Sequence, residues 1–199
     1  FVDVSPITGN ISISDIRKKL NENTKGIIPV HMAGYPCKMD EIIQICEEFD
    51  LILIEDCAHA VGTRFDEKHV GNFGIAGCFS FYPTKQIATG EGGVVISNDK
   101  NVIDFINKHK AFGIDTQQEM RTKPGIYDVR GLGYNYRMTD FQAALATGQM
   151  QRYSVNLSRR QENALLYQKH LKKLSKITYP EYSPDTSYFL FQIIISEEI

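Results

Sequence analysis

The chain of 199 residues has the composition of a globular protein, with 42% hydrophobic and 23% charged residues. Its formal net charge of -2 offers no electrostatic basis for binding nucleic acid or an acidic membrane surface. No apolar run approaches the roughly 20 residues that a membrane-spanning helix requires.

The N-terminal part of the sequence predicts a strand–helix–strand unit. Strands are expected over 26–31 and 51–54, with a helix over 39–49 between them. Pro29 removes a ladder donor, so the first strand is irregular or lies at an edge. The unbroken apolar run of the second strand indicates that both of its faces are covered. Such a unit pairs its strands in parallel, which predicts a largely parallel sheet.

Two helices are expected in this part. A short one over 15–20 has Ser14 as its N-cap. The helix over 39–49 carries apolar residues at helical spacing. The residues of this face are Met39, Ile42, Ile43 and Cys46.

The middle of the chain predicts a strand over 94–97 that pairs with apolar residues of 70–81 across a glycine-rich hairpin at 90–93. Asn98 and Asp99 are expected to cap a helix that extends to about Lys110. Residues 111–129 are polar and irregular, and long loops of this kind are usually functional or contact a partner.

Thr139 and Gln142 predict a capping box for a helix that reaches about Tyr153. A charged helix over 157–174 follows, and then a strand over 188–195. The chain begins with Phe rather than Met and ends in a strand without a closing element. We therefore expect it to be an internal piece of a longer protein.

The four cysteines are widely spaced and form no C-x-x-C pair, which argues against a zinc ribbon or a thioredoxin-type site. They are Cys37, Cys46, Cys57 and Cys78. Buried free thiols are expected, and a cytoplasmic location is the simplest inference.

Lys85 follows a stretch without any other charge from Phe73 to Thr84, among aromatic, hydroxyl and small residues. Desolvation disfavours the ammonium form of a lysine, and a neutral amine attacks carbonyl groups to form a Schiff base. An exposed lysine at the end of a strand explains the same stretch, since most lysines lie at the surface.

A second candidate site follows the strand over 51–54, where Glu55, Asp56 and His59 lie in the sequence. In parallel sheets, ligands collect at the carboxyl ends of the strands. Two structural alternatives stay open at this point. Asp56 caps a helix that starts at Cys57, or His59 is a buried histidine with structural contacts only.

Pyridoxal phosphate (PLP) needs a lysine, an acid facing its ring nitrogen, and donors for its phosphate. The chain offers Lys85, Asp56 and Ser80 for these three positions. Sequence spacing does not show whether the three residues converge.

Four motifs follow one another along the chain: IEDCAHA at 54–60, GCFSFYPTK at 77–85, GEGG at 90–93 and GYNYRM at 133–138. In this order and spacing they resemble the DegT/DnrJ-type sugar aminotransferases, which are fold-type I PLP enzymes. The resemblance covers about residues 1–195.

The resemblance implies an α/β fold with a mainly parallel central sheet and helices on both faces. Residues 1–153 are expected to be part of the PLP-binding large domain. Residues 154–199 are expected to form a connecting helix and the beginning of an α+β small domain. The family's N-terminal Gly/Thr/Ser turn, which supplies further phosphate donors, is absent from this sequence.

The resemblance also implies the roles of five residues. Lys85 is expected to be the Schiff-base lysine and Asp56 the partner of the pyridine nitrogen. His59 is expected near the ring oxygen of the cofactor, and Ser80 at its phosphate. Asn135 is expected to reach the phosphate bound by a neighbouring subunit, which implies a homodimer with shared sites. No metal is expected.

The implied reaction moves an amino group from a donor, usually glutamate in this family, to a ketone of a nucleotide-linked sugar, with ping-pong kinetics. Three alternatives are kept. A PLP-dependent sugar dehydratase has the same fold but carries histidine in place of the lysine. A cofactor-binding regulator keeps the fold without catalysis. An unrelated metal hydrolase uses Glu55, Asp56 and His59, although no ligand spacing supports it.

Overall fold

The computed structural model of the protein describes residues 1–114, 123 and 125–196. The helices of this part are α1 (Ile13–Lys19), α2 (Met39–Glu48), α3 (Lys100–His109), α4 (Asp140–Met150) and α5 (Tyr153–Leu171). The strands are β1 (Gly26–Ile27), β2 (Ile52–Asp56), β3 (Arg64–Phe65), β4 (Lys68–His69), β5 (Ala76–Ser80), β6 (Gly93–Ile96), β7 (Ile177–Thr178) and β8 (Ile194–Ile195). Within these residues, no helix has the length and apolar character needed to cross a membrane.

The central sheet has four strands in the order β1–β2–β5–β6. β1, β2 and β5 pair in parallel and α2 connects β1 to β2, which confirms the predicted strand–helix–strand unit. β6 pairs antiparallel with β5 across the glycine-rich hairpin, as predicted. The first strand is short because Pro29 interrupts it, and Val30 rejoins the sheet through an isolated bridge to Asp56. The α/β fold class is confirmed.

The main core lies between α2 and one face of this sheet. Ile42 and Ile45 of α2 are fully buried and belong to one cluster with Ile27 and Leu53. The predicted apolar face contained Ile43 instead of Ile45, and Ile43 is only partly buried. Ile43 and Ile45 lie on opposite sides of the buried face of the helix, and the sheet covers the side that carries Ile45.

The prediction that both faces of the second strand are covered is wrong for this chain. Side chains alternate along β2, so Leu53 is 7% exposed whereas Ile52 is 54% exposed. Ile28, next to β1, is also exposed. The sheet therefore has a packed face against α2 and an open face that contains Ile52.

The caps of the helices agree largely with the sequence. Thr139 and Gln142 form the predicted capping box of α4, and Asp99 accepts a hydrogen bond from the Asn101 amide at the start of α3. The cap of α1 is Ser12 rather than Ser14, because the helix begins at Ile13. The long helix α5 begins four residues before its predicted start and ends three residues early, at Leu171.

The strand predicted over 188–195 is mostly wrong, since only β8 pairs, with β7. Residues 184–190, here called the C-terminal strap, lie instead along the turn after β1. The amides of Ser187 and Leu190 donate to the carbonyl oxygens of Gly34 and Ala33, at 3.2 and 3.3 Å. Tertiary contacts therefore take the backbone groups that a strand ladder would have used.

The predicted loop over 111–129 is described only at its ends. Isolated bridges join Ala111 to Asn135 and Ile114 to Val129. Residues 115–122 and 124 lie outside the described residues.

Candidate active site at the ends of β2 and β5

Two of the predicted site residues end neighbouring parallel strands. Asp56 is the last residue of β2 and pairs with Cys78 of β5, and Ser80 is the last residue of β5. Residues paired in this way point to the same face, and so does a residue two positions further along. Asp56 and Ser80 therefore share one face and one edge of the sheet.

The Asp56 carboxylate is held by a local turn. Its Oδ1 accepts a hydrogen bond of 2.9 Å from the Ala58 amide. The chain turns here without forming a helix, so the interpretation of Asp56 as the cap of a helix starting at Cys57 is wrong. This Asx-type turn fixes the carboxylate at the carboxyl end of β2.

His59 lies within the electrostatic influence of both Asp56 and Lys85. Burial lowers the pKa of its imidazole below the ordinary value, and the Lys85 ammonium lowers it further. The Asp56 carboxylate opposes both effects. His59 Nδ1 is buried and has no hydrogen-bond partner in the described part of the chain. A buried ring nitrogen without a partner is uncommon in folded proteins and indicates a place for a ligand atom.

Lys85 lies in the turn that follows β5. Its amide donates to the Tyr82 carbonyl oxygen at 2.9 Å, and its side chain is partly buried. The Lys85 Nζ lies 5.2 Å from the centroid of the Phe189 ring. The Lys85 side chain is therefore not fully exposed.

Ser80 and the glycine hairpin border the same edge. The Ser80 Oγ accepts a hydrogen bond of 3.3 Å from the Tyr82 amide, which leaves its own proton available to a ligand. Gly92 has φ +149°, and a Cβ there would come within 2.7 Å of Thr89 Oγ1. The turn after β5 thus needs glycine to return the chain into β6.

Asn135 is exposed. It lines a cavity of about 570 Å³ together with Cys78 of β5, Gly93 of β6 and residues of α3. Asp56, His59, Ser80 and Lys85 are not among the residues that line this cavity. Asn135 therefore lies outside the contacts that join His59 to the neighbouring predicted residues.

Glu55 is directed to the opposite face of β2 and is completely buried. Each of its two oxygens accepts two hydrogen bonds: Oε1 from the amides of Phe73 and Gly74, and Oε2 from the Gly71 amide and His31 Nε2. Burial raises the pKa of Glu55, but these four hydrogen bonds outweigh it, and the pKa lies below the ordinary value.

These contacts answer the metal-hydrolase alternative. The ligand atoms of His31, Glu55 and Cys57 lie within 4.8 Å of one another. Both Glu55 oxygens are already saturated, and His31 Nδ1 accepts the Cys37 amide at 3.0 Å. The cluster is an internal hydrogen-bond network, and alternation along β2 separates Glu55 from Asp56.

Sequence reasoning missed Phe189, which the structure places in the site. Its ring stacks on His59, with centroids 4.4 Å apart and planes inclined by 26°. No motif pointed to this residue, because the segment read as a strand of another domain. Only the folded chain brings residue 189 to residue 59.

Comparison with known proteins identifies the family. The family model described as "DegT/DnrJ/EryC1/StrS aminotransferase family" matches residues 1–199. The chain belongs to this family. It is 36% identical over 194 residues to the GDP-perosamine synthase of Escherichia coli O157:H7, a match that covers 98% of this chain and 51% of that protein. The chain thus spans about half the length of the curated relatives it matches.

Two solved structures have the same fold. The Helicobacter pylori aminotransferase PseC, "involved in the biosynthesis of pseudoaminic acid", matches with a TM-score of 0.90 and 27% identity, over 100% of this chain and 52% of that one. The E. coli GDP-4-keto-6-deoxy-D-mannose-3-dehydratase "with bound hydrated PLP" matches with a TM-score of 0.86 and 28% identity, over 100% and 54%.

The family is PLP-dependent, and the residues around His59 fit that cofactor. They supply a lysine amine, a carboxylate at a strand end and a serine hydroxyl with a free proton, from Lys85, Asp56 and Ser80. The buried His59 Nδ1 without a partner is the independent sign that a polar ligand atom belongs here.

Proposed function

We propose that the full-length protein is a PLP-dependent aminotransferase that converts a keto group of a nucleotide-linked sugar into an amine. The observation that carries the proposal is the Phe189 ring, which stacks on His59 and has the Lys85 Nζ 5.2 Å from its centroid. The Asp56 carboxylate is fixed at the strand end just before the His59 turn. PLP requires an amine for its aldehyde and a carboxylate for its ring nitrogen, and this site offers both groups. When bound, PLP supplies the electron sink that stabilises negative charge on the carbon bearing the amine.

Lys85 is the proposed catalytic residue. Its Nζ would hold the cofactor through the aldehyde, with release of water, and would carry a proton to and from the substrate carbon. Partial burial and the neighbouring Phe189 ring shield this amine from water. The chain offers this amine at the end of the turn after β5.

The other roles follow from the positions of the side chains. Asp56, fixed by the Ala58 amide, would hold a proton on the ring nitrogen of the cofactor. His59 would offer Nδ1 to the ring oxygen, and the Ser80 hydroxyl would donate its proton to the phosphate. Asn135, exposed and outside this group, is proposed to reach the phosphate in the partner subunit of a homodimer.

A GDP-linked keto sugar is the proposed acceptor and glutamate the proposed donor. The support for the acceptor is the similarity to proteins named GDP-perosamine synthase. The product is then an amino sugar for polysaccharide biosynthesis.

A sugar dehydratase is the second candidate, because a solved dehydratase shares this fold. The dehydratase relatives carry histidine where this chain has Lys85. A histidine cannot bind the cofactor aldehyde as a primary amine does, so the lysine favours the aminotransferase.

Absorbance spectroscopy of the full-length protein tests the proposal. PLP is added first, then glutamate, and then a panel of nucleotide-linked keto sugars. We expect a bound-cofactor band that glutamate converts and that one keto sugar restores. The Lys85→Ala variant should remain folded by circular dichroism and lose turnover. Turnover in that variant, or no response of the wild type to any amino donor, would overturn the aminotransferase assignment.

We further propose the organisation of the whole protein. Residues 1–153 belong to the cofactor-binding large domain, and residues 154–199 form a connecting helix and the start of the small domain. The four cysteines are free and three of them are buried, which suits a reducing cytoplasm.

A further inference from the structure

The C-terminal strap, residues 184–190, is fixed against the site by hydrogen bonds from several directions. Ser187 is fully buried, and its Oγ lies 2.8 Å from Thr63 Oγ1 and donates to the His59 carbonyl oxygen at 3.4 Å. The Ser187 amide donates to the Gly34 carbonyl oxygen, and its own carbonyl accepts from Gln86 Nε2 at 3.1 Å. The strap therefore connects the segment directly after Lys85 with the turn that carries His59.

Tyr188 adopts a backbone conformation that bulky residues rarely have. Its φ is +46°, in the left-handed region, and it is only 3% exposed. Its ring packs against Tyr35 and Tyr182, and its hydroxyl accepts the Ser183 amide at 2.8 Å. A strained backbone conformation persists only where the surrounding contacts hold it, as the ring and hydroxyl contacts of Tyr188 do. Such conformations concentrate at functional sites.

The left-handed conformation of Tyr188 directs its own side chain and that of Phe189 into different surroundings. Tyr188 packs into the cluster formed with Tyr35 and Ala164, whereas Phe189 lies at the site. Arg160 Nη1 donates to the carbonyl oxygens of both residues, at 3.2 and 3.3 Å, and fixes the backbone at this point. The Phe189 ring consequently has a defined place.

That ring contacts two of the proposed cofactor-binding residues at once. It stacks on the His59 imidazole at 4.4 Å between centroids, and the Lys85 Nζ lies 5.2 Å from its centroid. Stacking restricts rotation of the imidazole, which decides where the unpartnered Nδ1 is directed. The ring face also attracts the lysine ammonium, which otherwise has four rotatable bonds.

We propose that Phe189 is a positioning residue of the active site, which fixes the plane of His59 and holds the Lys85 amine beside it. The proposal rests on the proposed function of this site. It makes the C-terminal strap a part of the cofactor site rather than a linker that merely leaves it. A flat aromatic ring, and not only apolar bulk, is required at this position.

Two measurements on the full-length protein test this proposal. The first is an NMR titration of His59 in the cofactor-free protein, and the second is the dissociation constant for PLP from absorbance. In Phe189→Ala, water reaches the imidazole and the pKa of His59 should rise, because burial is the largest cause of its lowering. The dissociation constant for PLP should increase about tenfold, which is about 1.4 kcal/mol.

Conservative variants separate the ring from its bulk. Phe189→Tyr should restore both the low pKa of His59 and the affinity for PLP. Phe189→Leu should keep the imidazole buried and the pKa low, yet remain weak in PLP binding because it offers no flat face. A leucine variant with wild-type affinity would contradict the requirement for a ring.

Phe191→Ala is the matched control, since Phe191 packs on Tyr167 and Tyr179 two residues further along. It should lower thermal stability without moving the pKa of His59. If Phe191→Ala changes the pKa of His59 and the PLP affinity as Phe189→Ala does, both variants act by destabilising the fold. The proposal is then wrong. The NMR titration needs no cofactor, so it tests Phe189 even if the proposed function fails in the wild type.

Discussion

Replacing Glu55 by glutamine keeps the shape of a buried side chain and removes its charge. The carboxylate accepts two hydrogen bonds at each oxygen, from three amides and from His31 Nε2. The amide nitrogen of glutamine accepts none. Whichever way the new side chain is oriented, two N–H donors face another donor.

The cost can be worked out from these contacts. A buried donor without a partner costs about 1–3 kcal/mol, more where a charged group is involved, and two donors lose the carboxylate oxygen here. We therefore expect Glu55→Gln to lower the free energy of unfolding by about 3–5 kcal/mol. For a domain of 150–250 residues this lowers Tm by roughly 10 °C. The Gly71, Phe73 and Gly74 amides should also exchange with deuterium faster, because they lose their acceptor.

The contribution of the Glu55 charge to stability should depend on pH. The pKa of Glu55 is lowered in the folded protein from its ordinary value of 4.5, so the unfolded chain binds the proton more tightly. The stability from this carboxylate is fully present above about pH 5 and is lost as the pH falls through the folded-state pKa. The Tm difference between wild type and variant should shrink below pH 4.5.

Thermal unfolding by circular dichroism, between pH 3 and pH 8, measures both effects. Glu47→Gln is the matched control, since Glu47 is exposed on α2 and should change stability by at most about 0.5 kcal/mol. A Glu55→Gln protein that melts with the wild type at pH 7 would refute the reasoning. An equal Tm difference at pH 3 and pH 7 would refute the assignment of the effect to the charge.

Three further changes test the site and its surroundings. Asp56→Asn should reduce kcat/KM by about 100-fold or more, because a neutral amide does not hold a proton on the cofactor ring, and unchanged kinetics would remove that role. Gly34→Ala should destabilise the protein by about 1–3 kcal/mol, measured by urea unfolding, since a Cβ at φ +91° would overlap Ser187 Oγ. An alanine variant with wild-type stability would show that the strap adjusts without cost. Asn135→Ala should speed the loss of PLP on dialysis while light scattering still reports a dimer, and normal retention in a dimer would contradict its role across the interface.

Local patterns of the sequence predicted the elements that position Asp56. The helical spacing of Met39 and Ile42 reports burial of one helix face against the sheet, and such burial leaves a periodic trace. The capping box of α4 was predictable for the same reason, because its two residues lie three positions apart. A structural feature that depends on one helix or strand can be predicted from the sequence of that helix or strand.

Contacts between distant segments left no such trace. The run from Tyr188 to Ile195 has the composition of a strand, yet Tyr188 turns into the left-handed region because Tyr35 and Tyr182 surround its ring. Glu55 likewise looked like a second candidate for chemistry, and only the four donors that surround it show its structural role. Residues from opposite ends of the sequence decide these features.

Glu55 and Asp56 show how one strand serves two purposes. Alternation along β2 directs Glu55 into the packed face, where it ties the 71–74 turn to the sheet, and directs Asp56 to the site. A shift of one residue in the register of β2 would exchange the two carboxylates, burying the one proposed to meet the cofactor. The network of Glu55 therefore acts on the site through register: it stabilises the pairing of β2 with β5 in which Asp56, rather than Glu55, lies on the face of the proposed site.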